Sequence, residues 1–511
     1  MRVAKLALFA AVGLSACGGA SQVPPPPPPA APAPSAAAPP PAASAPSDPL
    51  GSRPIPAAPV AFVPPEPKVL EGPGHSKIWL LERHNLPLVT VGVVVPYGSA
   101  LEPADQGGVA FATADMLDEG AGDRDALAFS QAVADLGAHL SSSADRDASV
   151  VSLEALATKL DQALPLMADA IARPRHEPKD WTRVQALWFN ALKNRAHEPS
   201  EVARIATTAV FYGDHAYAHP PEGTPTSAQR VSLAEIGAWH KRIWRPDVAT
   251  FVVVGDVTAD RITSLLGKSF ASWKTPSTPP GPTAIEPYLV RPKGLRTFLV
   301  DRADAPQVVM SFASAAPAAA DPAYARLSLL NIGLGGSFTS RLNQNLREDH
   351  GWTYGARSRF NSQRGPGMFV VRAAIRSDAI APALRETMKE LDRMAKGGVS
   401  EAEVEKLRAL VNGEVLGTYG TVLGAGASLA GNAALGVGAD ADLKDLASQR
   451  SATAKDLSSL AAQFLDLSSG VVVLVGPKEV ALKAFAENDL PAPELLDADG
   501  KPVGPRVGAA R

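Results

Sequence analysis

The chain has 511 residues, a formal net charge of −3 and one cysteine, Cys17. This near-neutral balance, without a recurring basic run, argues against nucleic acid as a partner, and a lone cysteine excludes an internal disulfide. Behind a Pro-rich front, about 430 residues remain, which is enough for at least two domains.

The front of the chain is typical of an exported lipoprotein. Residues 1–16 begin with two basic residues and continue into an apolar run that is too short to span a membrane as a mature helix. The run ends in Leu-Ser-Ala before Cys17, which resembles a bacterial lipobox; the alternative is a buried cysteine in an uncleaved signal. We predict a signal peptide over 1–16, lipidation at Cys17 and, by resemblance to Gram-negative lipoproteins, an outer-membrane anchor facing the periplasm.

Residues 17–67 form a predicted linker. They are rich in Pro, Ala and Ser and include six consecutive prolines at 24–29. Such a segment has little to bury and favours an extended polyproline conformation. It serves either as a semi-rigid tether between the membrane and the folded body or as disordered filler.

The folded body repeats itself. An apolar strand pattern around Leu80 recurs around Leu299, at an offset of 219 residues, and an apolar strand ending at Gly255 recurs at Gly476, at an offset of 221 residues. Two matches at nearly one offset predict tandem copies of one domain.

Between these strands, apolar residues follow helical spacing. The predicted helices are Ala126–Leu140, Leu156–Ala172, Leu384–Ala395 and Glu401–Val415. Strands followed by helices and a further strand predict an α+β fold with two tandem homologous domains, each a mainly antiparallel sheet with helices packed on one face. We place the domains at 68–276 and 291–490, joined by a linker at 277–290. A tail follows at 491–511, which we expect to be disordered from Asp497.

The most informative run is Gly333–Tyr354, which reads as a Gly-rich turn, a helix over Phe338–His350, a stop at Gly351 and the start of a strand. The first half adds four short patterns that point the same way: Tyr97–Pro103, Gly107–Ala110, Tyr212–Tyr217 and Trp244–Pro246. Together these stretches resemble the insulinase / mitochondrial-processing-peptidase family, the pitrilysin-like zinc peptidases, from about residue 68 to 485.

In that family an Arg and a Tyr seven residues apart reach the peptide being cleaved, and they fall here on Arg347 and Tyr354. The resemblance implies that the guanidinium holds the peptide and that the phenol stabilises the oxyanion that forms on it. The spacing alone leaves another interpretation open, in which Arg347 pairs with Glu348 or Asp349 on a solvated face and Tyr354 lies in the core.

The resemblance also implies a metal site that this chain lacks. Family members carry His-x-x-Glu-His after a Gly-Gly-x-Ala turn, and a further Glu downstream. The first His falls here on Phe111, the catalytic Glu on Ala114 and the second His on Asp115. The downstream Glu falls near Ala191 or Leu192, in a stretch without acidic residues. We therefore predict no cofactor in this chain, with zinc bound by a partner subunit.

His215 and His219 have the i, i+4 spacing that binds zinc on a helix. They lie among Gly, Asp and Pro residues, a composition typical of a loop, and we do not assign them to a metal site.

We therefore hypothesise a non-catalytic subunit of a two-chain zinc metallopeptidase. It would supply Arg347 and Tyr354 in trans to a homologous His-x-x-Glu-His subunit, and the two chains would close like a clamshell around an unfolded peptide. The rival hypothesis is a peptidase-like scaffold or peptide-binding envelope lipoprotein without a catalytic role. A self-sufficient zinc peptidase would require ligands that the sequence does not offer.

Overall fold

The computed structural model describes residues 61–287, 294–361 and 363–503. The predicted signal peptide, Cys17 and most of the predicted linker lie outside these residues. In the part described, no helix is both long enough and apolar enough to cross a membrane.

The first half contains a six-stranded sheet in the order β1-β2-β6-β3-β5-β4. Its strands are β1 (Lys68–Glu71), β2 (Lys77–Glu82), β3 (Leu88–Val95), β4 (His139–Ala144), β5 (Ser149–Leu156) and β6 (Thr250–Gly255). Neighbouring strands are antiparallel except β2 and β6, which are parallel. The central strand β3 is Val-rich and buried on both faces. Strands covered on both faces are typically rich in β-branched residues.

In residues 61–287, the first half carries the helices α1 (Val109–Asp115), α2 (Ala126–Ala134), α3 (Leu160–Ala172), α4 (Pro178–Arg195), α5 (Pro199–Tyr212), α6 (Pro225–Arg230), α7 (Leu233–Ile243) and α8 (Ala259–Ser269). Short 3₁₀ turns lie at Pro73–His75, Ser99–Leu101 and Pro246–Val248. Helices α6 and α7 begin with reciprocal capping boxes at Thr224 and Ser232, which satisfy backbone N–H groups that the helices leave free.

The second half contains a second sheet in the order β12-β7-β11-β8-β10-β9. Its strands are β7 (Leu295–Asp301), β8 (Gln307–Ala316), β9 (Ala356–Asn361), β10 (Gly367–Arg376), β11 (Gly470–Gly476) and β12 (Glu494–Leu496). Strands β7, β11, β8, β10 and β9 repeat the order and directions of β2, β6, β3, β5 and β4. The predicted tandem duplication is therefore visible strand by strand.

Part of the predicted tail is ordered. Strand β12 pairs in parallel with β7, and beyond it the Val503 N–H donates to the Leu495 carbonyl at 2.8 Å. The prediction of disorder from Asp497 is therefore wrong for the residues described up to Val503, because this segment completes the edge of the second sheet.

The second half carries helices α9 (Ala323–Asn331), α10 (Arg341–Asn343), α11 (Ile380–Gly397), α12 (Glu401–Tyr419), α13 (Val422–Ala434), α14 (Ala441–Ser451), α15 (Ala454–Phe464) and α16 (Lys478–Ala486). Wider π-helical turns follow α9 at Ile332–Gly336 and α10 at Gln344–Asp349, and a 3₁₀ turn lies at Ser377–Ala379.

Each sheet packs its own helices on one face, as predicted, and a helix of the other half on the opposite face. Helix α5 buries Val202 and Ala206 against the second sheet, where they meet Val473 of β11. Helix α13 buries Leu429 in the core that contains Val252 of β6. Apolar periodicity indicates that these helices bury one face, but it does not say against which sheet.

The predicted helix ends differ from the observed ones. The helix predicted over Phe338–His350 is shorter, since its helical turns run from Arg341 to Asp349. Helix α2 stops at Ala134 instead of Leu140, because Gly137 turns the chain at φ 60 and β4 follows. Helix α3 starts at Leu160, since Leu156 ends β5, and it continues through Pro165. The predicted helices in the second half lie within α11 and α12.

Candidate functional site

The Gly-rich turn lies directly against strand β9. A Cβ atom on Gly335 would come within 2.6 Å of the backbone nitrogen of Ser358 and 2.5 Å of its hydroxyl oxygen. No larger residue fits at this distance, so a glycine is needed for the close approach. The turn thereby positions the following helical segment at the end of β9.

Asn343 fixes the segment that carries Arg347. Its side-chain oxygen accepts the Ala356 N–H at 2.9 Å, and its side-chain nitrogen donates to the Ser337 carbonyl at 3.0 Å. The side chain is buried, so both bonds form away from water, where a lost bond is costly. The Gly-rich turn, the helical segment and the start of β9 are held as one unit.

Arg347 lies in the π-helical turn after α10. Its guanidinium carbon lies 3.9 Å from the ring centroid of Phe338, a cation–π contact. Its Nη1 atom lies 3.3 Å from Glu348 Oε1 and makes no hydrogen bond within the described residues. The pairing with Glu348 that sequence spacing allowed is therefore present, and a buried guanidinium donor remains without a hydrogen-bond acceptor.

Tyr354 lies in a loop, and its side chain is 93% exposed. The prediction that it starts a strand is wrong, because β9 begins only at Ala356. The alternative that Tyr354 lies in the core is also wrong. Gly351, at φ 64, ends the helical segment as predicted.

Hydrogen bonds hold the loop on both sides of Tyr354. The Trp352 N–H donates to the Leu346 carbonyl at 3.0 Å, and the Thr353 hydroxyl donates to the Ala374 carbonyl at 2.7 Å. The Gly355 N–H donates to the Thr353 hydroxyl at 3.1 Å. An exposed phenol on a fixed backbone suits contact with a ligand better than it suits packing.

Aromatic packing occupies the position at which the sequence resemblance places the metal ligands. Phe111 lies on α1, and its ring centroid is 6.0 Å from that of Trp188 on α4. Ala114 is buried in the same helix. On α4, Leu192 is buried and Ala191 faces solvent. Neither an aromatic ring nor an alkyl side chain ligates zinc.

Asp115 ends α1 close to two other acids, Asp118 and Glu119. Burial, with the repulsion of these neighbours, raises the pKa of Asp115 to about 7, and burial raises that of Asp118 to about 6. Glu119 pairs with Arg183. Because Phe111 and Ala114 supply no ligand, Asp115 alone offers too few donor atoms for zinc, which takes at least three protein ligands. No group of three or more His, Cys, Asp or Glu residues in the described chain could hold a metal ion.

His215 and His219 lie in the loop after α5, so helical spacing does not apply to them. Both ring nitrogens of His215 are engaged: Nδ1 accepts the Tyr217 N–H at 3.0 Å, and Nε2 lies 3.0 Å from the Glu286 carbonyl. Burial lowers the pKa of His219, and its Nδ1 lies 3.3 Å from the carbonyl oxygen of Pro220. These contacts give both residues structural roles.

Arg347 and Tyr354 thus lie on one segment of the second half. Phe111, Ala114 and Asp115 lie on α1 of the first half. Sequence reasoning missed the ring of Phe338 over Arg347. It also missed a cluster of arginines on β9 and β10, although the alternation of Arg357 and Arg359 is visible in the sequence.

Comparisons with known proteins agree with this architecture. The profile of the insulinase family, peptidase M16, matches residues 77–222, and the profile of the peptidase M16 inactive domain matches residues 230–411. An uncharacterized zinc protease of Mycobacterium bovis is 27% identical over 349 residues, which are 68% of this chain and 78% of that protein.

Two solved structures share the fold. A protease from Helicobacter pylori superimposes with a TM-score of 0.75 at 20% identity, over 81% of this chain and 100% of that one. A peptidase M16 inactive domain from Pseudomonas fluorescens gives a TM-score of 0.73 at 23% identity, over 81% and 98%. The two family profiles together match more than half of the sequence, and the chain belongs to the insulinase family, peptidase M16.

Proposed function

We propose that this chain is the non-catalytic subunit of a two-chain zinc peptidase and supplies Arg347 and Tyr354 to a peptide held between the subunits. The observation that carries the proposal is the contrast between its two halves. The second half presents an exposed phenol on the segment that also carries Arg347, whereas α1 of the first half carries Phe111 and Ala114 where the family resemblance calls for a ligand and a base.

The two side chains suit binding and charge stabilisation. The Arg347 guanidinium is a planar fork of donors that can hold a peptide carbonyl, and it lies 3.9 Å from the ring centroid of Phe338. The Tyr354 hydroxyl can donate to the oxygen on which negative charge develops during peptide hydrolysis. Neither group generates a nucleophile, so a homologous partner with His-x-x-Glu-His would supply the zinc and the activated water.

Co-expression with such a homologue from the same genome tests the proposal. We expect the complex to cleave an unfolded peptide and this chain alone to cleave nothing. In the complex, Tyr354→Phe should lower kcat by about 10²–10³-fold, as the loss of one oxyanion donor does, while size-exclusion chromatography still shows the assembled dimer. Arg230→Gln, an exposed change in the first half, is the control and should leave kcat unchanged.

Two outcomes would contradict the proposal. One is zinc near one equivalent in the purified chain together with chelator-sensitive cleavage. The other is an unchanged kcat in Tyr354→Phe, which would remove this residue from the site and favour a scaffold role.

A further inference from the structure

Three arginines share one face of the edge hairpin of the second sheet. Arg357 and Arg359 lie on the edge strand β9, and Arg372 lies on β10, directly opposite Arg357 in the register. Their face is the one that α5 covers, since Met368 and Val370 of β10 bury their side chains against that helix. Like charges directly opposite each other destabilise an antiparallel pair, so this arrangement has a cost in the free protein.

The three guanidinium groups lack anionic partners. None of them makes a hydrogen bond or an ion pair within residues 61–287, 294–361 and 363–503. The carboxylate that acts on Arg372 is Glu201 of α5, and Glu201 already pairs with Arg204 at 2.8 Å. Arg204 and Arg359 both repel Arg372.

Arg372 is also poorly solvated. Its Nε atom is buried without a hydrogen-bond partner, as is the hydroxyl of Ser311, which lies opposite Arg372 on β8. Burial lowers the pKa of Arg372 to about 10. A partly desolvated cation without a paired anion is unfavourable, and a bound anion would relieve this cost.

Several arginines elsewhere in the described chain form close ion pairs. Arg341 forms an ion pair with Glu403 at 2.8 Å, Arg376 with Asp378 at 2.8 Å and Arg245 with Asp247 at 2.6 Å. The arginines of the edge hairpin differ from these three, which have a carboxylate within 3 Å.

We propose that Arg357, Arg359 and Arg372 form a carboxylate-binding site for a peptide. The inference rests on the proposed function, because strand β9 begins two residues after Tyr354. Since a strand rises about 3.3 Å per residue, Arg357 and Arg359 lie at most about 10–17 Å along the chain from Tyr354, within reach of the same extended peptide. Arg357 and Arg359 are exposed and can receive the ligand, and guanidinium forks match carboxylate geometry. The carboxylate is either an acidic side chain or the C-terminus of the peptide.

Fluorescence anisotropy with the purified chain tests the site. Four unstructured, labelled peptides of one length are compared: two with Glu and two with Gln at the same positions, each with a free or an amidated C-terminus. We expect a peptide with the recognised carboxylate to bind roughly tenfold more tightly than its neutral counterpart, as charge-assisted hydrogen bonds favour. The Glu/Gln pair and the acid/amide pair separate the two sources of the carboxylate.

Arg357→Gln and Arg372→Met should abolish this preference, and Arg230→Gln, in the first half, should preserve it. Both hairpin variants should melt at the same temperature as the wild type or about 1–3 °C higher, because a like-charge pair is removed. A lower melting temperature with an unchanged preference would assign the arginines a structural role and overturn the inference.

Equal affinity for all four peptides, or no binding of any, would also overturn the inference. The proposed function is decided separately by the kcat of Tyr354→Phe in the complex, which does not depend on the charge of the peptide.

Discussion

Asp115 lies at a position where the family resemblance would place a metal ligand. A histidine at the end of α1 could remain neutral and ligate, whereas a buried aspartate beside Asp118 and Glu119 holds a proton near neutral pH. Phe111 fills its position with an aromatic contact to Trp188. Both residues therefore take part in the packing and electrostatics of the first half.

We expect Asp115 to make the protein less stable as the pH rises from about 4 to 7. Its folded-state pKa of about 7 lies above the ordinary value of 3.8. In that window the folded state therefore holds a proton that the unfolded chain has lost, and the free energy of unfolding falls with pH. Asp115→Asn should raise this free energy by on the order of 1–2 kcal/mol at pH 8 and leave it unchanged at pH 4. Urea denaturation at both pH values measures the difference.

The control for this experiment is Asp123→Asn, a change of the same chemistry at an exposed position, which should alter stability by less than about 0.5 kcal/mol. If Asp115→Asn changes the free energy of unfolding by the same amount at pH 4 and at pH 8, folding does not raise the pKa of the Asp115 carboxyl.

At the scale of the element, Asn343 holds the segment that displays Arg347 and Tyr354. Asn343→Ala removes its bonds to the Ala356 N–H and the Ser337 carbonyl and leaves buried groups unpaired. We expect a loss of about 2–3 kcal/mol in the free energy of unfolding, measured by urea denaturation. Gln344→Ala, the adjacent exposed residue, should cost less than about 0.5 kcal/mol. If the two variants lower the free energy of unfolding equally, the two Asn343 side-chain bonds contribute nothing to stability.

Local sequence patterns predicted which helices and strands form better than they predicted where each one begins and ends. Gly351 ended the helical segment as expected because a left-handed glycine there is a local signal. The strand predicted at Tyr354 failed because the Thr353 hydroxyl bonds to Ala374, a residue distant in sequence, and holds the chain in a loop. The face that α13 buries was visible in the sequence, but its placement on the first sheet depends on tertiary contacts that no local pattern encodes.

At the scale of the molecule, the exchange of α5 and α13 ties the two halves into one folding unit. Without α13, apolar residues such as Val252 and Trp79 on the first sheet would lose the core in which they are buried. Without α5, Val473 of the second sheet would lose its cover. Each half thus needs the other to bury both faces of its sheet, which predicts cooperative unfolding of two domains that the duplication alone would have made independent.

Leu429→Ala tests this cooperativity, because Leu429 on α13 is fully buried. The cavity should lower the free energy of unfolding by about 2–4 kcal/mol. Six of the seven tryptophans lie in the first half, so tryptophan fluorescence reports chiefly on the half that does not contain the substitution. We expect the fluorescence and far-UV circular dichroism transitions to shift together to lower urea, whereas Leu416→Ala, at a position 54% exposed, should shift neither. A fluorescence transition that stays at the wild-type midpoint while the dichroism signal falls earlier would mean that the halves unfold separately despite the exchanged helices.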